Sequence, residues 1–255
     1  MSIEPLLDFN GDGIVDATDM CIMVDHWGED YPLCDIGPMP WGDGIVDVQD
    51  LIVLAEHLFA EVSNPTLIAH YQLDEAEGFI AADSAGQNDA AVMGGATWQP
   101  TGGRIGGALQ LDGVDDCVSA AFVLDPAKWP FSVLAWVKGG SPGQVVISEP
   151  TGANWLIADA EGKLMTELKG PGRDSRPLQS EAVITDGQWH RIGLVWDGSR
   201  RMLAVDGVVA AEDTQSALPS SGNGLHIGAD KNMNPGTFWS GLIDDVRIYN
   251  RAVKP

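Results

Sequence analysis

The chain has 255 residues and sets 14 Lys+Arg against 37 Asp+Glu, a formal charge of −23. So acidic a molecule is repelled by nucleic-acid phosphates and by anionic lipid, so neither is an expected partner. No apolar run is long enough to span a bilayer, and Met1-Ser2-Ile3-Glu4 lacks the basic and apolar character of an export signal.

The charge is unevenly spread. No Lys or Arg precedes Arg104, so residues 1–64 hold 14 acids and no base. A segment like this repels itself unless cations neutralise it. Within it Gly11-Asp12-Gly13-Ile14-Val15-Asp16 returns 31 residues later as Gly42-Asp43-Gly44-Ile45-Val46-Asp47. The match continues through Asp19 and Asp50, Asp25 and Glu56, and His26 and His57, which marks a duplicated unit.

In the first copy Asp8, Asn10, Asp12, Ile14, Asp16 and Asp19 stand at positions 1, 3, 5, 7, 9 and 12 of a calcium loop, with Gly13 at the sharp turn. Calcium takes several hard oxygens in a small volume, and alternate carboxylates with one backbone carbonyl supply them. A metal-free Asp/Gly turn is the alternative. A helix is expected over Ala17 to Trp27, with Met20, Ile22, Met23, Val24 and Trp27 apolar. In the second copy Met39 and Trp41 fall at positions 1 and 3 and cannot ligate. If Gly37-Pro38-Met39-Pro40 loops out, Asp35 takes position 1, with Asp43, Ile45, Asp47 and Asp50 in register. Its helix is expected over Val48 to Ala60, with Leu51, Leu54, Ala55, Leu58 and Phe59 apolar.

Tandem calcium loops, each followed but not preceded by a helix, resemble the type I dockerin domain over about Pro5 to Glu61. The resemblance implies a small all-α calcium-loop domain at residues 1–61 holding two calcium ions. It implies a cohesin-like protein partner; another copy of the chain is the alternative, since a docking module and a broad sandwich share one compact chain. It also gives loop positions 10 and 11, here Ala17 and Thr18, then Val48 and Gln49, the role of choosing that partner. Calcium affinities on the order of millimolar are typical of extracellular modules, so an extracellular or cell-surface location is expected, its signal absent from this sequence; a cytoplasmic one is the alternative. Cys21 and Cys34 could staple the two copies or stay reduced, and Cys117 is expected as a buried thiol.

Residues 62–66 form a short polar joint, and beyond it the helical period gives way to alternation. Leu67–Leu73, Ala108–Leu111, Phe131–Val137 and Arg191–Trp196 read as strands, with shorter runs at 145–148, 155–158, 163–168, 202–205, 208–211, 225–228 and 242–249. Turn signals such as Asp112-Gly113, Glu161-Gly162, Asp197-Gly198 and Asp206-Gly207 separate them. An antiparallel sandwich follows.

His70-Tyr71-Gln72-Leu73-Asp74-Glu75, Ala82-Asp83-Ser84-Ala85-Gly86-Gln87-Asn88-Asp89 and the stretch 106–116 resemble the laminin-G-like, concanavalin-type jelly roll. So do Gln188-Trp189-His190-Arg191, Val205-Asp206-Gly207 and the stretch 241–249. The resemblance implies an all-β antiparallel jelly roll over 67–255. It also implies one further calcium ion at Asp83, Asn88 and Asp244, with Asp74 and Asp89 as second choices and ordinary strand-end capping as the alternative. Of the tryptophans, Trp136 and Trp196 are expected in the core, while Trp155 and Trp239 are the candidates for an exposed sugar platform.

Catalysis is not expected. A glycosidase sets two carboxylates across a sugar bond, whereas Asp115-Asp116 and Asp244-Asp245 are adjacent and, on strands, would face opposite ways. His190 is expected to be structural, and Ser141 and Ser221 lie in turns without a nucleophile elbow. Two functions remain: a calcium-dependent fibre or surface-layer subunit in which the first segment docks on a neighbouring copy, or a carbohydrate-binding jelly roll anchored through that segment to a cohesin-bearing scaffold. A glycoside hydrolase is a weaker third.

Overall fold

The computed structural model describes residues 7–9, 15–31, 34–38, 42–59, 66–171 and 176–253. Of the first calcium loop, Asn10, Asp12 and Ile14 lie outside the described residues, as does the side chain of Thr18. The chain divides into two compact units, Met1–Pro65 and Thr66–Pro255.

The first unit contains α1 (Ala17–Asp25) and α2 (Val48–Ala55), both shorter than the apolar pattern suggests. Its core joins Leu7, Phe9, Val15 and Met23 of one copy to Cys34, Ile36, Val46 and Leu54 of the other. Val15 and Val46 are 31 positions apart, as are Met23 and Leu54, whereas Phe9 and Ile36 are only 27 apart. Four residues are thus accommodated between Ile36 and Val46 without disturbing the core. The chain leaves each helix early because Gly28 and Phe59 adopt left-handed φ of 83° and 66°. Val24, Trp27 and Phe59, expected on apolar faces, are instead exposed, Phe59 to 80 %. Cys21 and Cys34 are free thiols, the first exposed and the second buried, so no bridge joins the copies. Burial, with the charges of Asp50 and Asp19, pushes the Cys34 thiol up to about 12.

Among the described residues the second unit has sixteen strands. In its first half these are β1 (Leu67–Tyr71), β2 (Ile80–Ala81), β3 (Ala90–Met93), β4 (Thr97–Gln99), β5 (Ala108–Asp112), β6 (Cys117–Ala120), β7 (Phe131–Gly139) and β8 (Val145–Ser148). The others are β9 (Asn154–Ala158), β10 (Lys163–Thr166), β11 (Leu178–Val183), β12 (Trp189–Trp196), β13 (Arg200–Val205), β14 (Val208–Thr214), β15 (Leu225–Ile227) and β16 (Ser240–Tyr249). One sheet runs β14-β13-β12-β7-β16-β5-β4, with β1 also on β16; the other runs β11-β10-β9-β8-β15-β6-β3-β2. The named strand pairs are antiparallel, as expected of a jelly-roll sandwich.

Alternate side chains fill the space between the sheets: Phe131, Val133, Ala135 and Val137 of β7, Ile192, Leu194 and Trp196 of β12, Ile243, Val246 and Ile248 of β16. Trp155 and Trp239 belong to this core and are 1 % and 0 % exposed, so neither is a surface platform. The irregular sequence around them reflects bulges and loops, not exposure: β8 and β9 pair with two register shifts, and Trp239 packs its ring onto Gly140. Trp136, expected in the core, is half-buried under the Arg104 guanidinium, 5.1 Å from the ring centroid.

β16 organises one edge. Its first half pairs with β5 and its second half with β1. The change of partner coincides with a bulge between Asp244 and Arg247, where Asp245 takes a φ of 51°.

Candidate functional site

The two loops of the first unit are closed by equivalent buried carboxylates. Asp19 Oδ1 accepts the Phe9 N–H at 2.6 Å and its Oδ2 accepts that of Asp16 at 2.8 Å. Asp50 Oδ1 accepts from Ile36 N and Gly37 N at 2.6 and 2.7 Å, and its Oδ2 from Asp47 N at 2.7 Å. Both carboxylates are 0 % exposed. Each aspartate thus ties the start of its loop to the first turn of its helix. Asp47 also accepts the Gln49 N–H and forms a capping box with Asp50, whose backbone N–H reaches the Asp47 side chain while its own carboxylate accepts the Asp47 N–H.

Asp35 folds back over the second loop: Oδ1 accepts Asp43 N at 2.9 Å and Oδ2 accepts Gly44 N at 2.8 Å. This is how a loop-opening carboxylate organises its turn, and it spans the extra four residues. A β-carbon at Gly42, whose φ is +73°, would sit 2.2 Å from Asp35 Oδ1, so only glycine lets the carboxylate lie there. Asp43 Oδ1 accepts Ile45 N, and its Oδ2 accepts the Gln49 side-chain amide, both at 3.2 Å. Asp8 is buried and Asp16 half-buried. Ala17, Val48 and Gln49 are exposed.

In the second unit Asp83 and Asn88 belong to one knot and Asp244 to another. Asp83 Oδ1 accepts the N–H groups of His70, Ala85 and Gly86, and Oδ2 accepts Asn88 N. The Asn88 carbonyl accepts the Tyr71 hydroxyl at 2.8 Å, and Asp89 accepts Asp83 N. Asp244, fully buried, accepts Arg104 N and Ile105 N on Oδ2 at 2.6 and 2.9 Å, while its buried Oδ1 has no hydrogen-bond partner among the described residues. Burial above all, with the charges of Asp245 and Asp74, pushes the Asp244 carboxyl up to about 7. Asp74 in turn accepts Gly107 N from the same turn. The acid that acts on Asp244 from outside β16 is therefore Asp74, the second choice from sequence, while the Asp83 loop reaches β16 through His70 and Asp245.

That link has the residue types of a nucleophilic triad: Ser84 Oγ lies 3.0 Å from His70 Nδ1, and His70 Nε2 lies 2.8 Å from Asp245 Oδ1. Its surroundings are those of a structural network. The Ser84 hydroxyl also reaches the His70 carbonyl, Arg247 shares Asp245, and the Ala85 and Gly86 N–H groups that could receive an oxyanion are committed to Asp83. His190 is held between Asp206 and Asp186 at 2.8 and 3.0 Å.

Sequence reasoning missed one convergence. Asp115 and Asp116 lie in the turn between β5 and β6, not on a strand, and they meet Asp112 with ligand atoms within 4.8 Å of one another. Asp116 is spent on Gly95 N and Asp112 N. The Asp-Gly signal located this turn, but alternation does not apply inside it.

Residues 112–255 match the family model described as the Concanavalin A-like lectin/glucanases superfamily. No curated protein matches the chain. Among solved structures, it resembles the binding domain of Paraclostridial Mosquitocidal Protein 1 at 12 % identity and a TM-score of 0.61, covering 74 % of this chain and 49 % of that one. It resembles domain 4 of AbnA, an extracellular arabinanase from Geobacillus stearothermophilus solved with arabinotriose, at 19 % identity and 0.53, covering 74 % and 94 %. It also resembles a mutant Trypanosoma rangeli sialidase at 18 % identity and 0.52, covering 79 % and 33 %. The chain thus spans about half of the toxin domain and a third of the sialidase, and these likenesses are of fold.

Proposed function

The chain belongs to the Concanavalin A-like lectin/glucanases superfamily, and from that membership we propose that it is a non-catalytic, extracellular binding protein. Its jelly roll takes a carbohydrate, and its first unit is a dockerin-like calcium segment that holds the molecule on a protein partner such as a cohesin-like domain. The supporting observation is the pair of fully buried carboxylates, Asp19 and Asp50, in a segment without Lys or Arg. The backbone N–H groups satisfy their oxygens but carry no net charge, so a segment of 14 acids and no base still repels itself unless cations neutralise it. Asp8, Asp16, Asp35, Asp43 and Asp47 around them are the hard oxygen donors that calcium takes.

In the jelly roll the orphaned Asp244 Oδ1 fits one further calcium, with Asp74 as the second carboxylate. Bound there, calcium would supply the missing partner and pin the 103–107 turn to β16. Carbohydrate as the ligand is supported by the likeness to the arabinanase domain solved with arabinotriose. The anchored reading is preferred to the fibre because the likeness to a carbohydrate-bound domain supports a glycan ligand.

Incubation of the full chain on an array of neutral and acidic glycans, with calcium and then with chelator, tests this reading. Glycan retention in calcium supports it; a blank array in both conditions, or turnover of the bound glycan, counts against it.

A further inference from the structure

Four loops distant in sequence enclose a cavity of about 490 Å³ in the second unit, within the ~300–1,000 Å³ of small-ligand sites. The β8–β9 loop contributes Glu149, the β10–β11 loop Glu167, Lys169 and Pro177, the β14–β15 loop Ser220, and the β15–β16 loop Lys231.

The lining is a built polar site. Glu149 is 5 % exposed. Its Oε1 accepts the Ser221 hydroxyl and the Asn223 amide, and its Oε2 takes no hydrogen bond from the described residues. Glu167 Oε2 accepts from Asn154 Nδ2 at 3.0 Å and from Lys231 Nζ at 3.3 Å. Asn154 also accepts Lys231 N, which fixes that pair from below. Lys169 is exposed and makes no ion pair with a described residue.

The wall that carries Lys169 is held from inside the protein. Arg201, 0 % exposed and paired with Asp213, donates to the carbonyls of Leu168 and Arg176, the residues before Lys169 and Pro177. Gln215 accepts the Gly170 N–H in the same strap. A buried guanidinium spent on two loop carbonyls is a positioning device for that wall.

Two carboxylates and two ammonium groups leave the cavity without net charge and offer it both acceptors and donors. Sugar hydroxyls each donate and accept, so they satisfy both sets. A polyanionic glycan would gain nothing from the balanced lining and would meet the repulsion of a molecule carrying −23. We propose that this cavity binds a short stretch of a neutral oligosaccharide, with Glu149 and Glu167 accepting from its hydroxyls and Lys169 and Lys231 donating to them. The assignment rests on the glycan-binding reading above and gives it a place and a ligand class.

The test is calorimetric titration of the full chain with the neutral glycan best retained on the array, repeated with Lys169→Glu and Glu149→Gln. Lys169 is exposed, so its variant retains the fold even if Glu149→Gln does not; melting curves verify both. The expected result is a loss of at least about tenfold in affinity for each folded variant, the size of one charged hydrogen bond. Neutral-glycan binding that survives both substitutions overturns the site and leaves the glycan reading intact. Retention of acidic glycans alone overturns the ligand class. A wild-type chain that retains no glycan removes the reading and the site together.

Discussion

Phe59 donates its backbone N–H to the carbonyl of Val15 at 2.6 Å, and 31 positions earlier Gly28 donates to Val46 at 2.8 Å. Each helix of the first unit therefore ends on the buried valine of the other copy, and the duplication in sequence becomes a reciprocal exchange in structure. The two donors share the left-handed conformation, but only Gly28 is suited to it. Phe59→Gly should stabilise the unit by about 0.5–1 kcal/mol, because the ring is exposed and little packing is lost. Gly28→Ala should destabilise it by about 1 kcal/mol. Denaturant unfolding in calcium, read for the first unit, checks both; equal signs for the two would contradict the exchange.

Asp50 accepts three backbone N–H groups while fully buried. Asp50→Ala leaves those donors without a partner and should cost about 3–5 kcal/mol. Asp50→Asn, which keeps one acceptor oxygen, should cost less. Loss of amide protection at Ile36, Gly37 and Asp47 by hydrogen exchange is the specific sign, and protection retained at all three would argue against this role.

Much of this was legible in the sequence, and the failures have physical causes. The 31-residue repeat and the alternation of β7, β12 and β16 come from local periodicities that survive folding. Strands β2, β3, β4, β6 and β11 were not read because they are short, Ala-rich or polar: Ala90–Met93 and Cys117–Ala120 carry too little contrast between faces. Trp155 and Trp239 were misplaced because burial in a sandwich follows the facing sheet, not the regularity of the flanking residues. Asp74 beside Asp244, and the cavity around Glu149 and Glu167, join residues more than a hundred positions apart or four separate loops, and no local pattern encodes them.

The strap should be most sensitive to Arg201, which binds two of its carbonyls. Removing one partner of a buried ion pair costs about 3–5 kcal/mol, so Arg201→Met should lower stability by that order while Asp213, partly exposed, tolerates Asn better. Faster hydrogen exchange confined to residues 168–170 and 176 is the expected signature. Slow exchange in that strap would place its anchor elsewhere.

His190 gives the jelly roll a pH dependence. Burial opposes the charged ring, but the hydrogen bonds and charges of Asp206 and Asp186 outweigh it and raise its pKa. A raised value means the folded state holds the proton more tightly than the unfolded chain. The stabilisation is therefore complete below the unperturbed value of about 6.5 and is lost as pH rises through the folded value. An NMR titration of the His190 ring should show the raised midpoint, and Asp206→Asn should bring it down. A ring that titrates at or below the ordinary histidine value would refute the clamp.

The most direct measurement is calorimetric titration of the chelator-treated full chain with calcium. Three bound ions are expected, two lost in a chain carrying Asp19→Ala with Asp50→Ala and one lost with Asp244→Asn. A chain that takes up no calcium, while folding as before, would contradict the reading of its buried carboxylates as ion sites.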